Sequence, residues 1–151
     1  MSYSSSVPDY FYDVPTQEQE NRIEMNEDLC IVDEEYFFIR GCIEIPVVNG
    51  SEPFIWDVWV SLSEDGFNKT TKYWEVEGRE KQMKRWLSTS IPCYPETIQL
   101  KTKVHTRTIG VRPFIELEPT KHPLSKEQRE GITIERIKKI AEELCEEDEQ
   151  K

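Results

Sequence analysis

The sequence has only two histidines, His105 and His122, and four cysteines, Cys30, Cys42, Cys93 and Cys145. No two cysteines form a Cys-x-x-Cys pair, and neither histidine lies close to a cysteine along the chain. The spacings of structural zinc sites are missing, so no metal and no cofactor is expected. The cysteines are expected as reduced thiols that pack as small apolar residues. There is no Gly-x-Ser-x-Gly elbow, no phosphate-cradling glycine loop and no His-Glu-x-x-His helix. The best-known signatures of nucleophilic, nucleotide and zinc-protease chemistry are thereby removed. No apolar run approaches the ~20 residues that span a bilayer. The opening residues carry neither the basic segment nor the apolar stretch of a secretory signal, and the expected location is the cytoplasm.

Positive charge is also scarce. Nineteen Lys and Arg stand against thirty Asp and Glu, a formal net charge of −11. Nucleic-acid binding draws most of its affinity from phosphate neutralisation, so it is not expected here. An anionic membrane surface is disfavoured for the same reason. A basic protein partner is favoured, because opposite potentials speed encounter.

What is present suffices for one folded domain. The chain has 151 residues, within the usual span of about 100–200 for a single domain. Leu, Ile, Val and Phe make up about a quarter of it, above the ~20% level below which disorder is expected. The domain is expected over residues 9–144, between a frayed serine-rich start at 1–8 and an acidic tail at 145–151.

Alternation marks the centre. Residues 36–48 place Phe37, Ile39, Gly41, Ile43 and Ile45 on one face of a strand, and residues 53–62 do the same with Phe54, Trp56, Val58, Val60 and Leu62. Asn49-Gly50 between them is a turn signal, so the pair reads as an antiparallel hairpin. Ile55 and Trp59 could extend a binding face if the second side of this hairpin were open. Thr16 with Gln19, and Ser125 with Gln128, have the spacing of capping boxes at helix starts. Ser63 is placed to cap a helix over 64–74, and residues 78–83 read as an exposed loop. Short strands are expected at 86–89, 98–108 and 111–118. A last helix over 133–144 carries Ile134, Ile137, Ala141 and Leu144 on one face. The fold class is α+β: one domain with a mainly antiparallel sheet, a central hairpin and C-terminal helices.

One segment places chemistry on a face. Lys101, Lys103, His105 and Arg107 occupy every second position and share one side of their strand. Four potential cations in so acidic a chain could bind a carboxylate, a phosphate or an acidic loop. The alternative is cross-strand pairing with Glu116 and Glu118 of the next strand. Arg112 and Arg40 are further candidates for an anion site, and His122, before Pro123, is a weaker one. A Cys–His nucleophile pair is conceivable from Cys42 or Cys93 with His105, although two histidines and four cysteines make such a pairing easy to find by chance.

Several segments resemble a known family. They are Phe38-Ile39-Arg40-Gly41-Cys42-Ile43-Glu44-Ile45-Pro46, Trp59-Val60-Ser61-Leu62-Ser63, Leu100 to Thr106 and Arg112 to Thr120, continued by His122-Pro123-Leu124, Gln128, Gly131 and Ile132. Together they resemble the bacterial domain-of-unknown-function family numbered 2199, over roughly residues 9–144. The resemblance implies no particular activity and no catalytic residue. Members of that family commonly open on a Cys-x-x-Cys segment suggestive of a metal knuckle. This chain opens on serines, which implies that it lacks that knuckle.

The leading functional expectation is a non-enzymatic cytoplasmic interaction module with an acidic surface, for instance an inhibitor or immunity protein for a basic partner. The alternative is a small-molecule (anion) binding protein or enzyme built on the Lys101, Lys103, His105 and Arg107 face, with Arg40 or Arg112 converging on it.

Overall fold

In the computed structural model, residues 2–4, 7–62, 82–105, 107 and 111–149 are described. The helix expected at 64–74 lies outside them, as does most of the loop expected at 78–83. The strands are β1 (Ser2–Ser4), β2 (Ile23–Met25), β3 (Leu29–Val32), β4 (Tyr36–Ile45), β5 (Phe54–Leu62), β6 (Gln82–Leu87), β7 (Lys101–His105) and β8 (Phe114–Leu117). The helices are α1 (Gln19–Arg22), α2 (Pro123–Glu130) and α3 (Ile134–Glu149), and the chain also makes 3-10 turns at Asp9–Asp13 and Thr16–Glu18.

The β4–β5 hairpin is the centre of the molecule. It pairs antiparallel in nine steps, from Phe37 opposite Leu62 to Ile45 opposite Phe54. Asn49 sits at φ 63° in the connection, the conformation for which an Asn-Gly turn is suited. From this hairpin the sheet closes on itself. β5 continues to β6, β6 to β7 and β7 to β8, all antiparallel. β8 then returns beside β4 in parallel, with Phe114 opposite Cys42. The result is a closed mixed barrel rather than a purely antiparallel sheet. β3 and β2 extend the sheet beyond the first half of β4, and β1 runs parallel to β5. Ser2–Ser4, placed in a frayed start by the sequence pattern, therefore forms a strand.

The alternation expected of the hairpin is observed. Ile39, Ile43, Ile45, Val58 and Val60 are fully buried, as are Leu87, Val104 and Ile115 from the strands that close the ring. Leu124, Ile132 and Ile140 of the C-terminal segment join the same core. A second, smaller core forms on the other face of the hairpin from Val14, Cys30, Val32, Phe38 and Trp59. Trp59 is fully buried there, so it does not extend an open binding face. Closing the barrel brings β8 hard against β4: a Cβ on Gly41 would lie 2.6 Å from Ile115 Cδ1 and 3.0 Å from the Pro113 carbonyl oxygen.

The helix starts differ from the capping boxes. His122, not Ser125, caps α2, its Nδ1 accepting from the Leu124 N–H at 3.1 Å. Ser125 and Gln128 instead tie α2 to the sheet. The Ser125 hydroxyl donates to the Glu118 carbonyl at 2.9 Å. Gln128 accepts from the Leu117 N–H at 2.7 Å and donates to the Ile115 carbonyl at 2.8 Å. At the other end, Gln19 does not reach back to a cap; its Nε2 donates to the Val14 carbonyl at 3.1 Å. The last helix runs to Glu149, through most of the segment expected as tail.

Candidate functional site

Even-numbered residues of β4 point away from the barrel interior, because successive side chains alternate across a strand. Arg40, Cys42 and Glu44 therefore line up on the outer face. Register places Trp59, Asp57 and Ile55 of β5 opposite them. On the other flank lie Phe114 and Glu116 of β8, opposite His105 and Lys103 of β7. Arg112 enters from the loop before β8 and Arg107 from the segment after β7. The barrel thus gathers His105, Arg107, Arg112 and Arg40 onto one continuous outer surface. Lys103 lies beside them, and exposed Lys101 sits further along β7 beside Trp86 of β6.

Carboxylates are already seated on three of these basic side chains. The His105 Nε2 is 3.1 Å from Glu116 Oε1. Arg107 forms an ion pair with Glu44, and its guanidinium carbon lies 5.5 Å from the Phe114 ring centroid. Arg112 donates to Asp28 Oδ1 at 2.9 Å and has a second carboxylate, Asp57, 3.7 Å away. The Asp28 hydrogen bond holds the Arg112 guanidinium above its ordinary pKa. Arg40 donates to the Glu27 carbonyl at 3.3 Å and lies 5.8 Å from the Trp59 ring centroid. The expected pairing of the basic stripe with the next strand is therefore seen for His105 and Glu116. Pairing with Glu44, Asp28 and Asp57 was not anticipated.

Cys42 does not form a nucleophile pair with His105. Its thiol donates to Asp57 Oδ1 at 3.1 Å. Burial, then the Asp57 hydrogen bond, pushes the thiol up to about 12. A thiol so held stays protonated at neutral pH, and the thiolate is the reactive form. Cys93 lies elsewhere, in the loop beside α2 and α3, where its carbonyl accepts from Arg136 at 3.4 Å. Among the described residues no three His, Cys, Asp or Glu side chains come together as a metal site.

A second polar cluster was not foreseen. Tyr94 donates to Glu127 Oε2 at 2.5 Å, and Arg136 donates to Glu127 Oε1 at 2.9 Å. The Arg136 guanidinium carbon stands 5.3 Å from the Tyr94 ring centroid. His122 joins from the α2 cap through its Nε2, 3.0 Å from the Glu96 carbonyl oxygen. These contacts fasten the 92–99 loop to the C-terminal helices. Nothing local in the sequence links Tyr94 to Glu127 or Arg136, which lie 33 and 42 positions further along the chain.

Among the described residues no helix is long and apolar enough to cross a membrane. No curated protein and no solved structure matches the chain. Residues 1–132 match the family described as an uncharacterized protein conserved in bacteria, DUF2199, a span that takes in the whole barrel and α2 and stops before α3. The chain belongs to that family.

Proposed function

We propose that this protein is a non-enzymatic interaction module that receives a basic protein partner on its acidic surface. The observation that carries the reading is that the domain's own carboxylates engage three of the basic side chains gathered on the barrel's outer face. His105, Arg107 and Arg112 face Glu116, Glu44 and Asp28. Elsewhere Arg22 is held by Asp33 and Arg136 by Glu127. With a formal net charge of −11 the chain carries more carboxylates than cations, a balance that steers cationic partners. An inorganic anion would have to compete with Glu44 and Glu116 for the same donors.

The test has two arms. Affinity capture from a bacterial extract in a salt series should retain a partner of basic isoelectric point at low salt and release it at high salt. Thermal unfolding with phosphate or citrate should show no saturable stabilisation. A saturable rise in midpoint with phosphate, abolished in Arg107→Ala, would favour an anion site on the Lys101, Lys103, His105 and Arg107 face and overturn the module reading.

A further inference from the structure

Between the 3-10 turn at Asp9–Asp13 and the start of β4 runs an open groove of ≈ 690 Å³. That volume lies in the range of about 300–1,000 Å³ typical of ligand pockets. Tyr10, Tyr36 and Phe38 build one wall. The Tyr10 centroid is 4.7 Å from that of Tyr36 and 6.1 Å from that of Phe38. Tyr12 stands at the mouth, 71% exposed, and Tyr36 is 39% exposed. Asp9 and Asp13 bring two carboxylates to the same lining, and no Lys, Arg or His is among the described residues there.

This combination has a specific chemical demand. Exposed aromatic faces offer negative quadrupole potential to a cation. The carboxylates add negative potential, and Asp13 acts on Asp9 as a like charge. Burial raises the pKa of Asp9, opposed by the Ser90 backbone N–H and reinforced by Glu96 and Asp13. A cation in the groove would offset that repulsion. Among protein cations the guanidinium fits best, since it is planar, weakly hydrated, stacks on aromatic rings and pairs with carboxylates in a fork.

We propose that the groove receives an arginine side chain of the basic partner, stacked on the tyrosine wall and paired with Asp9 or Asp13. The proposal rests on the reading that the protein binds a basic partner, and names the contact. It differs from general attraction to an acidic surface in requiring particular aromatic rings and one particular cation shape.

The experiment measures binding of a short oligo-arginine peptide to the full chain by calorimetry, beside the oligo-lysine and oligo-citrulline peptides of equal length. Citrulline keeps arginine's shape and lacks its charge. The variants are Tyr12→Ala and Asp13→Asn in the groove, with Glu135→Gln as a control. Glu135 is an exposed carboxylate on α3. The arginine peptide should bind, the lysine peptide more weakly and the citrulline peptide not at all. Tyr12→Ala and Asp13→Asn should each weaken arginine binding by about threefold, and Glu135→Gln should leave it nearly unchanged. Equal losses in all three variants, or equal binding of lysine and arginine peptides, would overturn the groove while leaving the acidic-surface reading standing. Failure of every peptide to bind the unaltered chain would overturn both.

Discussion

Gly41 and Ile115 touch where the barrel closes: a Cβ at Gly41 would fall 2.6 Å from Ile115 Cδ1 and 2.7 Å from its Cγ1. Ile115 is fully buried and cannot swing into solvent. Gly41→Ala should therefore destabilise the protein by about 1–3 kcal/mol through overpacking. Ile115→Val removes the Cδ1 methyl and should recover part of that loss in the double variant. Urea midpoints of the four proteins decide it. Additive single effects would show that the two residues do not compete for space.

Ile43 is fully buried in the core between β4 and β5. Ile43→Ala should cost roughly 2–5 kcal/mol, the transfer term plus the cavity left behind. An unchanged thermal midpoint would contradict its place in the core.

Gln128 serves two backbone groups of β8, the Leu117 N–H and the Ile115 carbonyl. Gln128→Leu leaves both unpaired beneath α2 and should cost about 1–3 kcal/mol. Gln128→Glu keeps the acceptor and loses the donor, so it should fall between. Denaturant titration of the three proteins checks the order, and equal stability of Leu and Gln variants would refute the tie.

The thiols set an alkaline limit. Burial pushes Cys30 up to about 11, and burial with the Asp57 hydrogen bond pushes Cys42 up to about 12, from an ordinary 9.0. In the unfolded chain both ionise near 9.0, so above that pH the unfolded state holds fewer protons than the native state. Stability therefore falls as pH rises from 9.0 toward 11 and 12. Denaturation at rising pH should show this slope, and Cys42→Ala should flatten it. Alkylation of the native protein near neutral pH should spare Cys30 and Cys42 and label half-buried Cys93 sooner than either. Rapid labelling of Cys42 would disprove its contact with Asp57.

The hairpin was legible because its signals are local. Alternation over residues 36–45 and 54–62 needs only neighbours along each strand, and the Asn49 turn needs only its own backbone. The gathering of Arg40, Arg112, Arg107 and His105 was partly legible. Each stood out as a cation near a strand, but Arg107 and Glu44 are 63 residues apart, and no spacing rule reaches that far. The α2 cap was misread because Ser125 and Gln128 satisfy the capping-box pattern, yet their side chains are taken up by backbone groups of β8 and of Glu118 just beyond it.

The sequence by itself determined which face of each central strand is apolar, where the chain turns and that negative charge prevails. Those properties follow from residue type and a short repeat. Tertiary structure decided that the sheet closes through a parallel β4–β8 contact, that the basic stripe meets Glu44 as well as Glu116 while Arg112 meets Asp28, and that Tyr10, Tyr12 and Tyr36 border one groove with Asp9 and Asp13. Strand pairing and ion pairing between distant segments depend on distances of a few ångströms set by the whole packed core, and no local pattern encodes them.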